Sequence, residues 1–126
     1  MNTLTTSKEA ATILQPFFKG LDHEEVWILI VKGTQPVTCM RICTGNQASV
    51  AIDRKRIAKE VLLNDGDGLI LSHNHPSCNP RPSIADINET GKLESMLKVL
   101  DLKLLDHIIF TDNNYFSFAE ERIINL

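Results

Sequence analysis

Two histidines and an aspartate in the middle of the chain have the types and spacing of metal ligands. His73 and His75 are two residues apart, and Asp86 follows a loop rich in proline and asparagine. Side chains at positions i and i+2 of an extended strand project from the same face, so both imidazoles can reach one ion. A third ligand from Asp86 completes a set of two histidines and a carboxylate, which is typical of catalytic zinc. The spacing therefore predicts one zinc ion held by His73, His75 and Asp86.

Three protein ligands leave a fourth tetrahedral position open to water, so the predicted chemistry is hydrolysis. Zinc lowers the pKa of a bound water to about 7, which makes a hydroxide nucleophile available at neutral pH. Part of the motif has a simpler interpretation, because Ser83 and Asp86 are three residues apart and resemble a helix capping box. His-x-His-Pro, a six-residue spacer and Ser-x-x-Asp occur together here, and this conjunction favours the metal site.

The predicted elements place the motif where a buried strand ends and a helix begins. Residues 68–72 are apolar without alternation, which is typical of a strand buried on both faces, and they lead directly into His73. A helix is predicted over residues 83–100, although Gly91 in its middle costs about 1 kcal/mol relative to alanine. Its apolar positions are Ile84, Ile87, Leu93, Met96, Leu97 and Leu100. Because ligand sites in such sheets open at the carboxyl ends of strands, a catalytic crevice is expected there.

The remaining elements predict a sheet that is covered by helices on both sides. Helices are predicted over residues 7–18, with Ser7 as N-cap, and over residues 53–63, with Asp53 as N-cap. The further strands are predicted over residues 26–31, 37–43, 104–110 and 115–118. The first two of these form a hairpin. The resulting order, α, β, β, α, β, α, β, β, predicts an α/β fold with three layers, α-β-α, around a mixed sheet.

Composition and charge indicate an ordinary globular domain. The chain has 126 residues, 43% of them apolar, so we expect one domain over residues 1–126, with an N-terminal helix within residues 1–22 packed on it. A net charge of −3 does not indicate a basic surface that would contact a phosphate backbone, so charge does not support nucleic-acid binding.

Cysteine content and hydropathy indicate the compartment. Three cysteines without a CxxC pair exclude a four-thiolate zinc site and indicate a reducing compartment. With no apolar run near the roughly 18 residues of a membrane span, we expect a cytoplasmic protein without membrane contact.

The segment HNHPSCNPRPSIAD resembles the JAMM signature, and its HNHPS opening and PSxxD close are similar to the RadC family of bacterial proteins. The stretches EEVWILIV, ASVAIDRKRI, LDHIIF and YFSF occur in the order and spacing of the RadC catalytic domain. The resemblance implies a JAB/MPN fold related to that of the cytidine deaminases, one zinc ion, and hydrolysis of amide or isopeptide bonds in a peptide or protein substrate. It also implies an association with DNA repair, through which nucleic acid remains a candidate partner. The helix-hairpin-helix region of longer RadC proteins has no counterpart in this sequence.

The same resemblance implies a general base. JAMM proteins carry a glutamate at the start of an early strand, and the matching position is Glu25, immediately before VWILIV, with Glu24 as its neighbouring alternative. In the implied mechanism Glu25 takes the proton of the attacking water and passes it to the leaving amine. Ser83 donates a hydrogen bond to the developing oxyanion. A helix cap uses the Ser83 oxygen as acceptor, so both roles can coexist.

Two residues near the motif are secondary candidates. Cys78 stands where RadC proteins have glycine; its thiol could act as a fourth ligand or its backbone could be strained, but a passive loop residue is expected. His107 interrupts an apolar strand and is expected to be a hydrogen-bonded structural residue, with Asp106 as a partner.

Three other functions compete with zinc-dependent hydrolysis. A zinc deaminase needs a glutamate two residues after its histidine ligand and a PCxxC pair, and the sequence has neither. Residues 73–75 spell HNH, but an HNH nuclease spreads its motif over two strands and a helix. Three consecutive residues therefore do not indicate such a nuclease. The third alternative is a catalytically silent JAB-fold binding module in DNA repair or recombination, which loss of ligand residues would indicate, and every ligand position is filled here.

Overall fold

The chain folds into helices and strands in the predicted order. A computed structural model describes residues 6–45 and 52–123. The elements are α1 (Ser7–Leu14), a short 3-10 helix (Gln15–Phe17), β1 (Glu24–Lys32), β2 (Gln35–Gly45), α2 (Arg54–Leu63), β3 (Gly68–Asn74), α3 (Ile84–Val99), β4 (Lys103–Phe110) and β5 (Tyr115–Ser117). Within the described ranges, no helix is both long and apolar enough to cross a membrane.

The five strands form one mixed sheet in the order β2-β1-β3-β4-β5. Strand β1 runs antiparallel to β2 and to β3, β3 runs parallel to β4, and β4 runs antiparallel to β5. A parallel pair needs a crossover connection, and α3 lies in the connection between β3 and β4. Strand β3 is therefore central, and all of its residues are buried. The strand that ends in the histidine motif is thus the best covered element of the sheet.

Helices cover both faces of the sheet, which confirms the predicted three-layer α/β fold. One apolar cluster joins α2 and α3 to the sheet and includes Ile28 of β1. The other joins α1 to the opposite face and includes Leu29 of β1. Successive side chains of a strand point to opposite faces. Even-numbered residues of β1 therefore face α2 and α3, and odd-numbered residues face α1.

The first helix differs from the prediction at both ends. Thr6, not Ser7, is the N-cap, and it forms a capping box with Glu9. The Ser7 hydroxyl instead donates to the Asp106 carboxylate at 2.7 Å. The α-helix ends at Leu14 because Pro16, which follows, has no backbone N–H to continue the ladder.

The predicted buried face of α3 is wrong in its first turn. Ile84 is 79% exposed and Ile87 is 39% exposed, whereas Leu93 and Leu97 are fully buried. The first turn contacts the end of β3 through its aspartate, so it lies past the apolar layer of the sheet. The buried face begins instead at Thr90, a polar residue that the periodicity did not identify.

Candidate metal centre

Three ligand atoms meet at the carboxyl end of β3. His73 Nε2 lies 3.2 Å from His75 Nε2 and 3.5 Å from Asp86 Oδ1, and His75 Nε2 lies 3.3 Å from Asp86 Oδ2. Zinc bonded at about 2.0 to 2.1 Å in a tetrahedral site separates its ligand atoms by about 3.3 Å. Among residues 6–45 and 52–123, this is the only group of three or more His, Cys, Asp or Glu side chains that could hold a metal. The spacing of these atoms fits a zinc ion.

Strand and helix geometry deliver the three side chains. The His75 N–H donates to the Phe110 carbonyl at 2.9 Å, which extends the pairing between β3 and β4 by one residue beyond the strand. His73 and His75 therefore stay on one face, as their spacing predicts. Asp86 occupies the third position of α3, where its carboxylate accepts the Ser83 N–H at 2.8 Å. Its own N–H donates to Ser83 Oγ at 3.0 Å, so the predicted capping box is present.

The capping box and the histidines keep Asp86 ionised. Burial raises the pKa of the Asp86 carboxyl, but the hydrogen bond from His75, the electrostatic interaction with the His73 ring and the hydrogen bonds from Ser83 outweigh it. The pKa of Asp86 consequently lies well below its ordinary range. A carboxylate that is already ionised is ready to act as a metal ligand.

Each histidine has a partner for its other ring nitrogen. His75 Nδ1 lies 3.1 Å from the Asn79 carbonyl, and His73 Nδ1 lies 2.8 Å from His107 Nε2. Burial lowers the pKa of His73 to about 4 and lowers the pKa of His107 well below its usual value. The rings of His73 and His107 are therefore neutral at pH 7. Neutral imidazole is the form that binds metals, so His73 is in the state that a ligand needs. Partners of this kind orient a histidine ligand and select its tautomer.

His107 is a hydrogen-bonded histidine, as expected, but its ring partners were not foreseen. Its Nδ1 lies 2.6 Å from Thr90 Oγ1, and its ring stacks on Phe118 with centroids 4.4 Å apart. Asp106, the partner expected for His107, does not contact its ring and accepts the backbone N–H of His107 instead. Asp106 lies on the opposite face of β4, where it accepts hydrogen bonds from Ser7 and Ser117.

The two glutamates at the start of β1 lie on opposite faces of the sheet. Val26 pairs with His73 and packs in the cluster shared with α2 and α3, so Glu24 is on the face of the ligands. Burial raises the pKa of Glu24, the charge of His75 opposes this, and the charge of Asp86 adds to it. The carboxylate of Glu24 therefore interacts electrostatically with two of the three candidate ligands, His75 and Asp86, and its pKa is raised overall.

Glu25 faces α1 and is held by other side chains. Its carboxylate accepts hydrogen bonds from Trp27 Nε1 at 2.9 Å and from His23 Nε2 at 2.8 Å, and it lies 3.7 Å from Arg41. Burial raises the pKa of Glu25, but these hydrogen bonds and charges outweigh burial, so the pKa lies below its ordinary value. Strand alternation turns Glu25 away from the candidate ligands, and the role of general base that the family resemblance implied for it stays a prediction.

Asn74, between the two histidines, holds the backbone around Glu24. Its Oδ1 accepts the Glu25 N–H at 2.8 Å, and its Nδ2 donates to the His23 carbonyl at 2.9 Å. These two bonds flank Glu24 and tie the start of β1 to the motif. The signal for this role in the sequence is an amide side chain between the two predicted histidine ligands.

The secondary candidates play smaller parts. Cys78 is exposed and is not a member of the ligand group. The φ angle of Cys78 is not among the positive values of the described residues, so its backbone is not strained.

Arg54 forms an ion pair with Glu89 at 3.1 Å, which ties the start of α2 to α3. The exposed Ser83 hydroxyl caps α3, and its oxyanion role stays a prediction.

Sequence comparisons agree with this architecture. The family model for the RadC-like JAB domain matches residues 4–123. A UPF0758 protein of Flavobacterium johnsoniae is 40% identical over 124 residues, which cover 98% of this chain and 54% of that protein. UPF0758 proteins of Coprothermobacter proteolyticus and Porphyromonas gingivalis are 33% and 32% identical, over 96% and 97% of this chain and 54% and 55% of their own lengths. The chain thus spans about half the length of the curated relatives it matches.

Proposed function

The chain belongs to the RadC-like JAB domain family, and we propose that it is a zinc-dependent metallohydrolase that cleaves an amide bond in a peptide or protein, as a metallopeptidase or isopeptidase. His73, His75 and Asp86 are the proposed ligands. The observation that carries the proposal is their arrangement, with ligand atoms 3.2 to 3.5 Å apart, which suits tetrahedral zinc. When bound, zinc supplies an activated water at neutral pH and a Lewis acid for the carbonyl.

Glu24 is the proposed general base, in place of the Glu25 that family resemblance implied. It lies on the ligand face, and burial raises its pKa, which brings its proton affinity closer to that needed at neutral pH. Its carboxylate takes the proton of the attacking water and passes it to the leaving amine. Glu25 is poorly suited to this task because Trp27 and His23 already occupy its oxygens.

Ser83 is the proposed donor to the oxyanion of the tetrahedral intermediate. Its oxygen accepts the Asp86 N–H at 3.0 Å, which leaves its hydroxyl proton for a substrate oxygen. A donor of this kind is worth about 3 kcal/mol in comparable sites. Because the same residue caps α3, the hydroxyl is held beside the Asp86 ligand.

Metal analysis and peptide hydrolysis test the proposal together. Protein purified without added zinc is expected to hold one zinc ion per chain and to cleave members of a peptide library. Glu24→Gln is expected to keep the zinc and to lose at least about 100-fold in hydrolysis. Absence of stoichiometric zinc in the wild type overturns the proposal. Stoichiometric zinc without any cleavage replaces it with a metal-stabilised binding module.

A further inference from the structure

A buried threonine sets the direction of a hydrogen-bond chain behind the candidate zinc site. Thr90 Oγ1 lies 2.7 Å from the carbonyl oxygen of Asp86 and 2.6 Å from His107 Nδ1. A hydroxyl has one proton to donate, and a carbonyl can only accept. The Thr90 proton therefore goes to Asp86, and Thr90 Oγ1 must accept a proton from His107 Nδ1.

The tautomers of both histidines follow from that first bond. His107 is 1% exposed, and its ring contacts Thr90, His73 and Phe118, none of which is a carboxylate that could compensate a buried positive charge. With its single proton on Nδ1, its Nε2 carries only a lone pair. This lone pair lies 2.8 Å from His73 Nδ1, which must then be the protonated nitrogen of His73. The Nε2 of His73 is left with its lone pair directed toward His75 and Asp86.

We infer that Thr90 and His107 are positioning residues that select the metal-binding tautomer of His73 before any metal arrives. The inference rests on the proposed zinc site, to which it adds residues from α3 and β4. It also couples two ligands, because the chain of bonds begins at the backbone of Asp86 and ends on the ring of His73.

The reverse direction is disfavoured by the same contacts. If Thr90 donated to His107, two acceptor oxygens of Thr90 and Asp86 would face each other at 2.7 Å. His73 would then carry its proton on Nε2, the nitrogen that the metal needs. Metal binding would have to be preceded by tautomer exchange in a ring that is 5% exposed. The observed chain removes that step.

Thr90→Val and Thr90→Ser form the matched pair for a test. Valine keeps the shape and loses the hydroxyl, whereas serine keeps the hydroxyl. Zinc affinity is measured at pH 7 by competition with a chromogenic chelator, with zinc alone as the ligand. Loss of a residue that hydrogen-bonds to and orients a metal ligand costs about 10- to 100-fold in affinity, so Thr90→Val should bind zinc that much more weakly and Thr90→Ser within about threefold of wild type.

Nitrogen NMR of the metal-free protein gives a readout that is independent of activity. The ring nitrogens of His73 should report the Nδ1–H tautomer in the wild type and in Thr90→Ser, and a mixture of tautomers in Thr90→Val. Ser72→Ala is the control for loss of a buried hydroxyl, since Ser72 donates to the Trp27 carbonyl at 2.9 Å. That variant should lose stability and keep both the tautomer and the zinc affinity.

A second pair of variants guards against a misfolded threonine variant. His107→Phe keeps an aromatic ring against Phe118 and removes the acceptor, whereas His107→Gln offers a carbonyl oxygen to His73. Zinc affinity should fall in the first and recover partly in the second. If the wild type binds no zinc, the proposed function fails. If the wild type binds zinc and both Thr90→Val and His107→Phe match its affinity and tautomer, the inference about positioning fails by itself.

Discussion

Glu24 and Glu25 are adjacent in β1, yet their carboxylates lie on opposite faces of the sheet. Glu24 shares its face with Val26, which pairs with His73, and its pKa responds to His75 and Asp86. Glu25 shares its face with Trp27, whose indole N–H it accepts at 2.9 Å. A difference of one position along a strand therefore decides which carboxylate lies on the face of the candidate ligands.

We expect Glu24→Gln and Glu25→Gln to separate catalysis from structure. A positioned general base contributes about 100- to 10,000-fold, so Glu24→Gln should lose that much in kcat, whereas Glu25→Gln should lose less than about tenfold. Both variants should retain zinc, because neither residue is a member of the ligand group. Steady-state hydrolysis and zinc content measure these effects. A large loss in Glu25→Gln beside an active Glu24→Gln would restore the assignment that the family resemblance implied.

Asn74→Ala should loosen Glu24 without removing a ligand. The substitution leaves the Glu25 N–H and the His23 carbonyl without their partner, which costs about 1 to 3 kcal/mol for each buried group left unpaired. Urea unfolding should show this loss, and hydrolysis should fall while zinc affinity is kept. Asn64→Ala is the matched control, since Asn64 donates to the Glu60 carbonyl at 2.8 Å in the last turn of α2. Equal effects of the two substitutions on hydrolysis would count against a role for Asn74 in placing Glu24.

Local patterns were sufficient to predict the elements and the grouping of His73, His75 and Asp86. Residues 68–72 show the unbroken apolar run of a buried strand, and β3 is buried throughout. His73 and His75 are neighbours in sequence, and Asp86 lies in the capping position that begins α3. Each of these signals is carried by a short segment, so no knowledge of strand pairing is needed to read it.

The proposed general base and the residues behind the candidate site could be identified only from the tertiary structure. A shift of one residue in strand register moves every side chain to the other face, so resemblance alone could not choose between Glu24 and Glu25. His107 meets His73 across 34 positions of sequence and Thr90 across 17. Thr90 did leave a trace in the sequence, because it lies three positions before Leu93 on the buried face of α3.

Cys78→Gly should leave the metal site unchanged. The thiol is exposed and is not one of the grouped ligand atoms, so its removal takes nothing from the proposed zinc. Zinc content and affinity should match those of the wild type, with Asp86→Asn as the variant that loses them. A fall in affinity of about tenfold or more, the effect expected of a lost partner of the metal, would instead assign the thiol to the site.

The metal-free protein should lose stability as the pH falls from about 6.5 toward 4. Burial lowers the pKa of His73 to about 4 and lowers that of His107 well below 6.5. In this window the unfolded chain binds protons that the folded protein excludes, so acid favours unfolding. His75 acts in the opposite direction, because its hydrogen bond to Asp86 raises its pKa. That contribution is present below pH 6.5 and is lost as the pH rises.

The two buried histidines outweigh His75 because their pKa shifts are larger. Between pH 7 and pH 5 the free energy of unfolding should fall by on the order of 1 to 2 kcal/mol for each buried ring. Urea unfolding of the chelator-treated protein at the two pH values measures the difference. His107→Phe removes one of the two groups and should reduce the pH dependence. The hydrogen-bond chain through Thr90 requires that His73 and His107 are neutral. Stability that is flat or rises on acidification would mean that they are not, and would contradict this chain.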